Sequence, residues 1–295
     1  MPTKKKAAAK PAAKGNVKAA ETPEGKKSVW LTYSPTEKKE LEKLAKGYQA
    51  FLTACKTERE SVTETIRQAE AAGYVELSRA TRRGRKLRPG DKVYTVGMKK
   101  TIALFHIGSA SLEQGLSILG AHIDSCRLDL KQNPLYEDGG LAFFDTHYYG
   151  GIKKYQWVAL PLALHGVVVK KDGRVVEVKL GEGEDDPVFC VTDLLPHLAQ
   201  EQMEKKAAKV VEGENLDVLV GSLPLAKKEK DAVKFGVLAL LKEQYGISED
   251  DFLSAELSLV PAGRAREMGF DRSLILGYGQ DDRVCAYTSL AAMLE

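Results

Sequence analysis

Segments with helical spacing lie at both ends of this chain, and short β-rich runs lie between them. That arrangement rules out an all-helical or all-β fold and predicts an α/β sandwich around a mixed sheet. A first helix starts at Ser34-Pro35, a capping hydroxyl with proline at the first helical position, and Leu41, Leu44, Tyr48, Phe51 and Leu52 recur at helical intervals. Thr57 and Glu60 have the spacing of a capping box for a second helix that stops near Gly73. The β-rich runs are Val93–Val96, Thr101–Phe105, Leu116–Ala121, Trp157–Leu160, Gly166–Lys170 and Arg174–Lys179, with Lys171-Asp172-Gly173 as a hairpin turn between the last two. An amphipathic helix over Ala232–Tyr245 introduced by Asp231, strands at Glu256–Val260 and Ser273–Leu276, and a helix from Asp282 complete the pattern.

At 295 residues and 43% hydrophobic, the chain can bury a sizeable core, which excludes a purely disordered or fibrous protein. The net charge of +3 is unevenly placed: residues 1–28 carry eight lysines against two glutamates, so the remainder is net acidic. This Lys/Ala-rich stretch has no run of large apolar residues and is expected to be a disordered tail. As a nucleic-acid or polyphosphate tether it would bind in a way that collapses with salt; as a solubilising extension it needs no partner, and no nucleic-acid partner is expected. No window approaches the roughly twenty apolar residues of a membrane span, and no secretory signal pattern is present. Cys55, Cys126, Cys190 and Cys285 are scattered without a CxxC pair, so a cytoplasmic setting is expected.

Two places could carry chemistry. In Leu116–Ser125 an apolar run ends in Gly120-Ala121 and delivers His122 and Asp124 two residues apart, at the carboxyl end of an expected strand, where ligands gather in open α/β sheets. On an extended backbone the two side chains share a face, which suits a metal ligand with a carboxylate that orients it. It also suits a satisfied structural histidine. In Gly277-Tyr278-Gly279-Gln280-Asp281-Asp282-Arg283, two adjacent carboxylates sit at a helix N-terminus. Helix capping accounts for one of them, and a carboxylate bridging two metal ions about 3.5–4 Å apart would account for the other.

The order G-A-H-I-D-S, R-L-D-L-K, Y-Y-G-G-I-K-K-Y-Q-W and G-x-D-D-R-V resembles the aspartyl aminopeptidase / aminopeptidase I family of zinc metallo-aminopeptidases, from about residue 28 to the last residue. The resemblance implies a mixed-sheet α/β catalytic domain interrupted by a β-rich dimerisation domain: tail 1–28, catalytic 29–127, inserted 128–230 and catalytic 231–295. It implies His122 and Asp281 as metal ligands and Asp124 as the aspartate steering its metal, with Asp282 structural. His197, otherwise a lone surface or core histidine, resembles one that reaches into a neighbouring subunit's site to hold substrate. His106, His147 and His165 match no ligand position and are expected to be structural. The implied cofactor is zinc, two ions in a complete site or other divalent metals. The implied partners are a peptide substrate and further copies in a dimer-based dodecamer.

Cys126 departs from the family pattern, standing where relatives carry proline, as a competing thiolate ligand or, more simply, a small buried residue. The resemblance also places a Glu-Glu pair, an Asp and a final His beyond the helix at Asp282, and these residues do not follow in this sequence. Catalytic zinc normally takes about three protein ligands plus water. The chain alone is therefore expected to be an incomplete, inactive first part of an aminopeptidase. The alternative is a non-catalytic assembly or regulatory partner of a full-length enzyme.

Overall fold

The computed structural model describes residues 28–225 and 230–295, so all of the expected tail except Ser28 lies outside the described residues. The chain divides into Met1–Leu44 and Ala45–Glu295, and the second unit holds all three sheets and every candidate site residue. Helix α1 (Pro35–Ala54) starts where the capping signal placed it: the Ser34 amide donates to the Glu37 carboxylate at 2.7 Å, and the Glu37 amide donates to Ser34 Oγ at 3.3 Å. Tyr48, Phe51 and Leu52 of its second half are buried with Cys55, Ala265, Tyr287 and Leu290, whereas Leu44 is exposed. Helix α2 (Glu58–Ala71) has the Thr57/Glu60 capping box.

A three-stranded mixed sheet follows. Strand β1 (Val75–Glu76) pairs in parallel with β2 (Lys92–Gly97), which pairs antiparallel with β3 (Thr101–His106), and the short α3 (Leu77–Ala80) lies between β1 and β2 in sequence. The larger sheet contains β4 (Arg127–Asp138), β5 (Leu141–Tyr149), β6 (Leu162–Val169), β7 (Val175–Leu180), β8 (Val218–Gly221) and β9 (Ala255–Pro261) in the order β7-β6-β9-β4-β5-β8. Every neighbouring pair in it is antiparallel. Leu128, Phe144, Leu162, Leu164, Val218 and Leu259 from these strands form the main core with Val233 of α5 (Ala232–Tyr245). The turn of the β6–β7 hairpin uses Gly173 at φ +82°, as its Lys-Asp-Gly signal requires. A short α4 (Gln200–Met203), an antiparallel hairpin of β10 (Arg266–Met268) and β11 (Leu274–Leu276), and α6 (Gln280–Leu294) complete a mixed α/β fold in which the three-stranded sheet is mixed and the six-stranded one antiparallel.

Several expectations fail locally. Leu116–Ala121 forms no strand: nothing among the described residues pairs with it, and Leu116, Ile118 and Leu119 are 66%, 80% and 57% exposed. Apolar composition suits a strand, but an adjacent backbone must satisfy its amides and carbonyls. Trp157–Leu160 contributes only one bridge, Val158 to Val191, and the strand begins after Pro161. Asp231 adopts φ +53° and does not cap α5; Glu137 of β4 instead accepts from the Val233 and Lys234 amides at 2.8 and 3.0 Å. Finally, β9, from the stretch 231–295, runs through the middle of a sheet whose other strands lie within 127–221.

A buried charge cluster ties α2 to this sheet. His165 of β6 is fully buried, with Nδ1 2.9 Å from Glu60 Oε1 and Nε2 3.1 Å from Glu182 Oε1. Both ring nitrogens face carboxylates, and only the imidazolium donates from both. Glu60 thus serves twice, since its Oε2 accepts from the Thr57 amide. Lys56, itself 2% exposed, lies 3.5 Å from Glu182 Oε1, and Lys179 lies 3.8 Å from Glu60 Oε1. Burial disfavours the charged ring, but the hydrogen bonds it donates to Glu182 and Glu60 outweigh it and raise the His165 pKa above the ordinary value.

Because the folded-state value is raised, this imidazolium stabilises the fold fully below about pH 6.5, and the contribution is lost as pH rises through the folded-state pKa. Replacing His165 by Leu leaves two carboxylates without their shared cation and should cost about 3–5 kcal/mol at pH about 6, with a smaller penalty at pH about 9. Guanidinium unfolding of both proteins across that range checks this, and a pH-independent difference would contradict it.

Candidate metal centre

Residues 115–126 form an irregular segment that ends at the start of β4, and Asp281 and Asp282 lie at the start of α6, where their backbone angles are not helical. Regular helix therefore begins later than Asp282, and the peptide bond between the two aspartates is cis. Gly279 precedes them at φ +79°, a conformation that side chains other than glycine rarely adopt. Ser125 joins the two segments by donating from Oγ to the Asp281 carbonyl at 3.0 Å.

His122, Asp124 and Asp281 meet here although the expected strand is absent. His122 Nδ1 lies 3.2 Å from Asp124 Oδ1 and 3.1 Å from the Asp124 carbonyl, and Nε2 lies 3.4 Å from Asp281 Oδ1. Asp281 projects almost fully into solvent. The Tyr149 hydroxyl donates to Asp124 Oδ2 at 2.9 Å, and the ring of Tyr149 is covered by the Arg127 guanidinium at 4.0 Å. Arg127 is held in turn by Glu58 at 2.9 Å and Asp129 at 2.7 Å. Burial pushes the Asp124 carboxyl up, but the hydrogen bond from Tyr149 and the nearby His122 outweigh it and hold its pKa below the usual carboxylate range. For His122 burial works against protonation, and the Asp124 carbonyl and carboxylate, with Asp282 and Asp281, raise its pKa nonetheless.

These donors fit zinc in chemistry and spacing. Two ligand atoms, each about 2.0–2.1 Å from a tetrahedral zinc ion, stand about 3.3–3.4 Å apart, the distance between His122 Nε2 and Asp281 Oδ1. No group of three or more His, Cys, Asp or Glu side chains among the described residues is arranged to hold a metal ion. His197 lies on an exposed turn, with no hydrogen bond or ion pair to His122, Asp124 or Asp281 among the described residues. Cys126 Sγ lies 3.9 Å from the Gly151 carbonyl, and the residue packs at the edge of the main core. Asp282 hydrogen-bonds the Cys285 thiol, which raises that thiol's pKa.

The family model for aminopeptidase I zinc metalloprotease (M18) matches residues 51–295. The chain belongs to this family. It is 57% identical over 270 residues to a probable M18 family aminopeptidase 1 from Clostridium acetobutylicum, covering 91% of this chain and 58% of that protein. It is similar to the crystal structure of the Thermotoga maritima M18 aminopeptidase, with TM-score 0.84, 47% identity, and coverage of 91% and 58% of the two chains. The aminopeptidase I structure from Clostridium acetobutylicum matches at TM-score 0.81 and 56% identity, covering 91% of this chain and 59% of that one. The chain thus spans a little under three-fifths of the length of these relatives. Among the described residues no helix is long and apolar enough to cross a membrane.

The roles of Ser125, Tyr149 and Arg283 went unrecognised in the sequence, although all three lie within the family-like motifs. A Cβ on Gly279 would fall on the Arg283 guanidinium, in addition to the strain of positive φ. Gly279→Ala should therefore destabilise the chain by about 2–5 kcal/mol, combining backbone strain with overpacking. Thermal or denaturant unfolding checks this, and a loss below about 0.5 kcal/mol, ordinary for a surface substitution, would contradict the crowding.

Proposed function

We propose that this chain carries one imidazole and the shared carboxylate of a zinc aminopeptidase centre, and that the complete protein removes N-terminal residues from peptides. The approach of His122 Nε2 to Asp281 Oδ1 at 3.4 Å carries this reading, because it sets two metal-type donors at the spacing of ligands on one ion. Bound zinc would supply Lewis acidity and a nucleophile at neutral pH. The chain's own residues prepare for it. Asp124 occupies His122 Nδ1 and leaves Nε2 directed at Asp281, while Tyr149 holds the other oxygen of Asp124, so the imidazole is oriented before an ion arrives.

The proposal includes two zinc ions, or other divalent metals, in the complete site, and remaining ligands and a general base outside this ligand pair. His197 is assigned to substrate held in a neighbouring copy, which suits its exposed turn. A homo-oligomer built through 128–230 follows, with 29–127 and 231–295 as catalytic segments and β9 shared with the inserted sheet. A structure of an S. cerevisiae mApe1 dodecamer has this fold at TM-score 0.64 and 18% identity. A cytoplasmic site of action belongs to the same reading.

A chimera of this chain followed by the remaining C-terminal part of the Clostridium acetobutylicum relative tests the assignment. It should release N-terminal residues in a zinc-dependent way, and His122→Ala and Asp281→Ala should each lower kcat/KM by at least about a thousandfold, roughly 4 kcal/mol of transition-state stabilisation. Full rate in either variant would refute the ligand roles. A chimera that binds zinc and stays inert would favour a non-catalytic assembly partner. The 295-residue chain alone should show no zinc-dependent turnover, because His122 and Asp281 are two of the about three protein ligands that catalytic zinc takes, and substantial turnover would contradict this.

A further inference from the structure

Arg283 is 1% exposed and faces no carboxylate within ion-pair distance among the described residues. A buried cation is costly unless the fold holds it through hydrogen bonds and polar neighbours. Its Nη2 donates to the Lys56 carbonyl at 3.0 Å, its Nε donates to the Ile123 carbonyl at 3.3 Å, and its Nη1 is buried with no hydrogen-bond partner among the described residues. The guanidinium lies 5.4 Å from the centre of the Tyr278 ring, and the Tyr278 hydroxyl donates to the Cys126 carbonyl at 2.8 Å.

The placement of these acceptors is specific. Ile123 lies between His122 and Asp124, Arg283 is two residues from Asp281, and Lys56 is anchored in the charge cluster under β9. One planar fork therefore ties the histidine segment, the aspartate segment and the α1–α2 junction together. Glycine at 279 leaves room for it.

We infer that Arg283 is a positioning residue for the candidate zinc site, holding the His122 segment against the Asp281 segment so that their side chains face one another before metal binds. The inference rests on the zinc reading for its purpose and on the metal-free geometry for its content. Guanidinium spreads its donors over a rigid planar fork, here Nε toward Ile123 and Nη2 toward Lys56, whereas an ammonium gathers its three donors on one nitrogen at the end of a flexible stem. The effect is therefore not replaced by charge alone.

The experiment is hydrogen exchange and NMR on the 295-residue protein without metal, with zinc affinity read by competition against a chromophoric chelator. In the wild-type protein the Arg283 Nε–H should give a resolved, slowly exchanging signal; exchange at the rate of a free guanidinium would overturn the inference without any variant being needed. In Arg283→Met and Arg283→Lys, protection at residues 122–126 and 279–284 should fall at least tenfold while the β6–β9 ladder keeps its protection, and zinc affinity should fall about 10- to 100-fold. Unchanged protection in both stretches, full rescue by lysine, or an equal loss throughout the fold would each contradict it. Failure of the zinc reading shows differently, as wild-type affinity no tighter than that of His122→Ala, with the exchange result standing on its own.

Discussion

The candidate site depends on how Lys56 is held. Its ammonium is almost fully buried, donates to the Pro261 and Gly263 carbonyls at 3.0 and 2.6 Å, and lies beside Glu182. Burial lowers its pKa, against the pull of Glu182. The same residue's carbonyl receives Arg283, so one side chain and one carbonyl connect the end of β9, the charge cluster around His165 and the two segments that carry His122 and Asp281. Removing a buried charge of this kind strands its partners rather than erasing a single contact.

This arrangement explains how the site holds together without the strand that sequence reasoning expected. His122 and Asp124 are positioned from both sides: Tyr149 from β5 grips Asp124, Ser125 grips the Asp281 carbonyl, and Arg283 grips Ile123. Two of these hydrogen bonds run from β5 and α6 into the irregular segment, and the third runs from that segment to the start of α6. Such a segment can present an imidazole and a carboxylate side by side with no ladder of its own.

Features governed by local chemistry were legible in the sequence. The Ser34 and Thr57 caps and the Lys171-Asp172-Gly173 hairpin depend on residues a few positions apart, and each formed as its signal implied. Features governed by distant partners were not. Leu116–Ala121 reads as a strand and is not one because pairing decides strands, and Asp231 reads as a cap whose task falls to Glu137, remote in sequence. The long β4–β5 ladder was read only as a strand-rich middle, since its alternation is broken by a register shift between Leu130 and Leu135. At the site, His122, Asp124 and Asp281 were legible from motif order, and the structure brings them together. Arg283 was not, because nothing in a linear motif tells that an arginine is buried against two carbonyls.

The central claim is that His122 and Asp281 share one metal ion. The most direct measurement is an anomalous-difference map at the zinc absorption edge from crystals of this chain grown with zinc. The account predicts a peak within about 2.0–2.2 Å of both His122 Nε2 and an Asp281 carboxylate oxygen. A peak at the Cys126 thiolate, or none beside His122 with that pair left at its metal-free spacing, would contradict it.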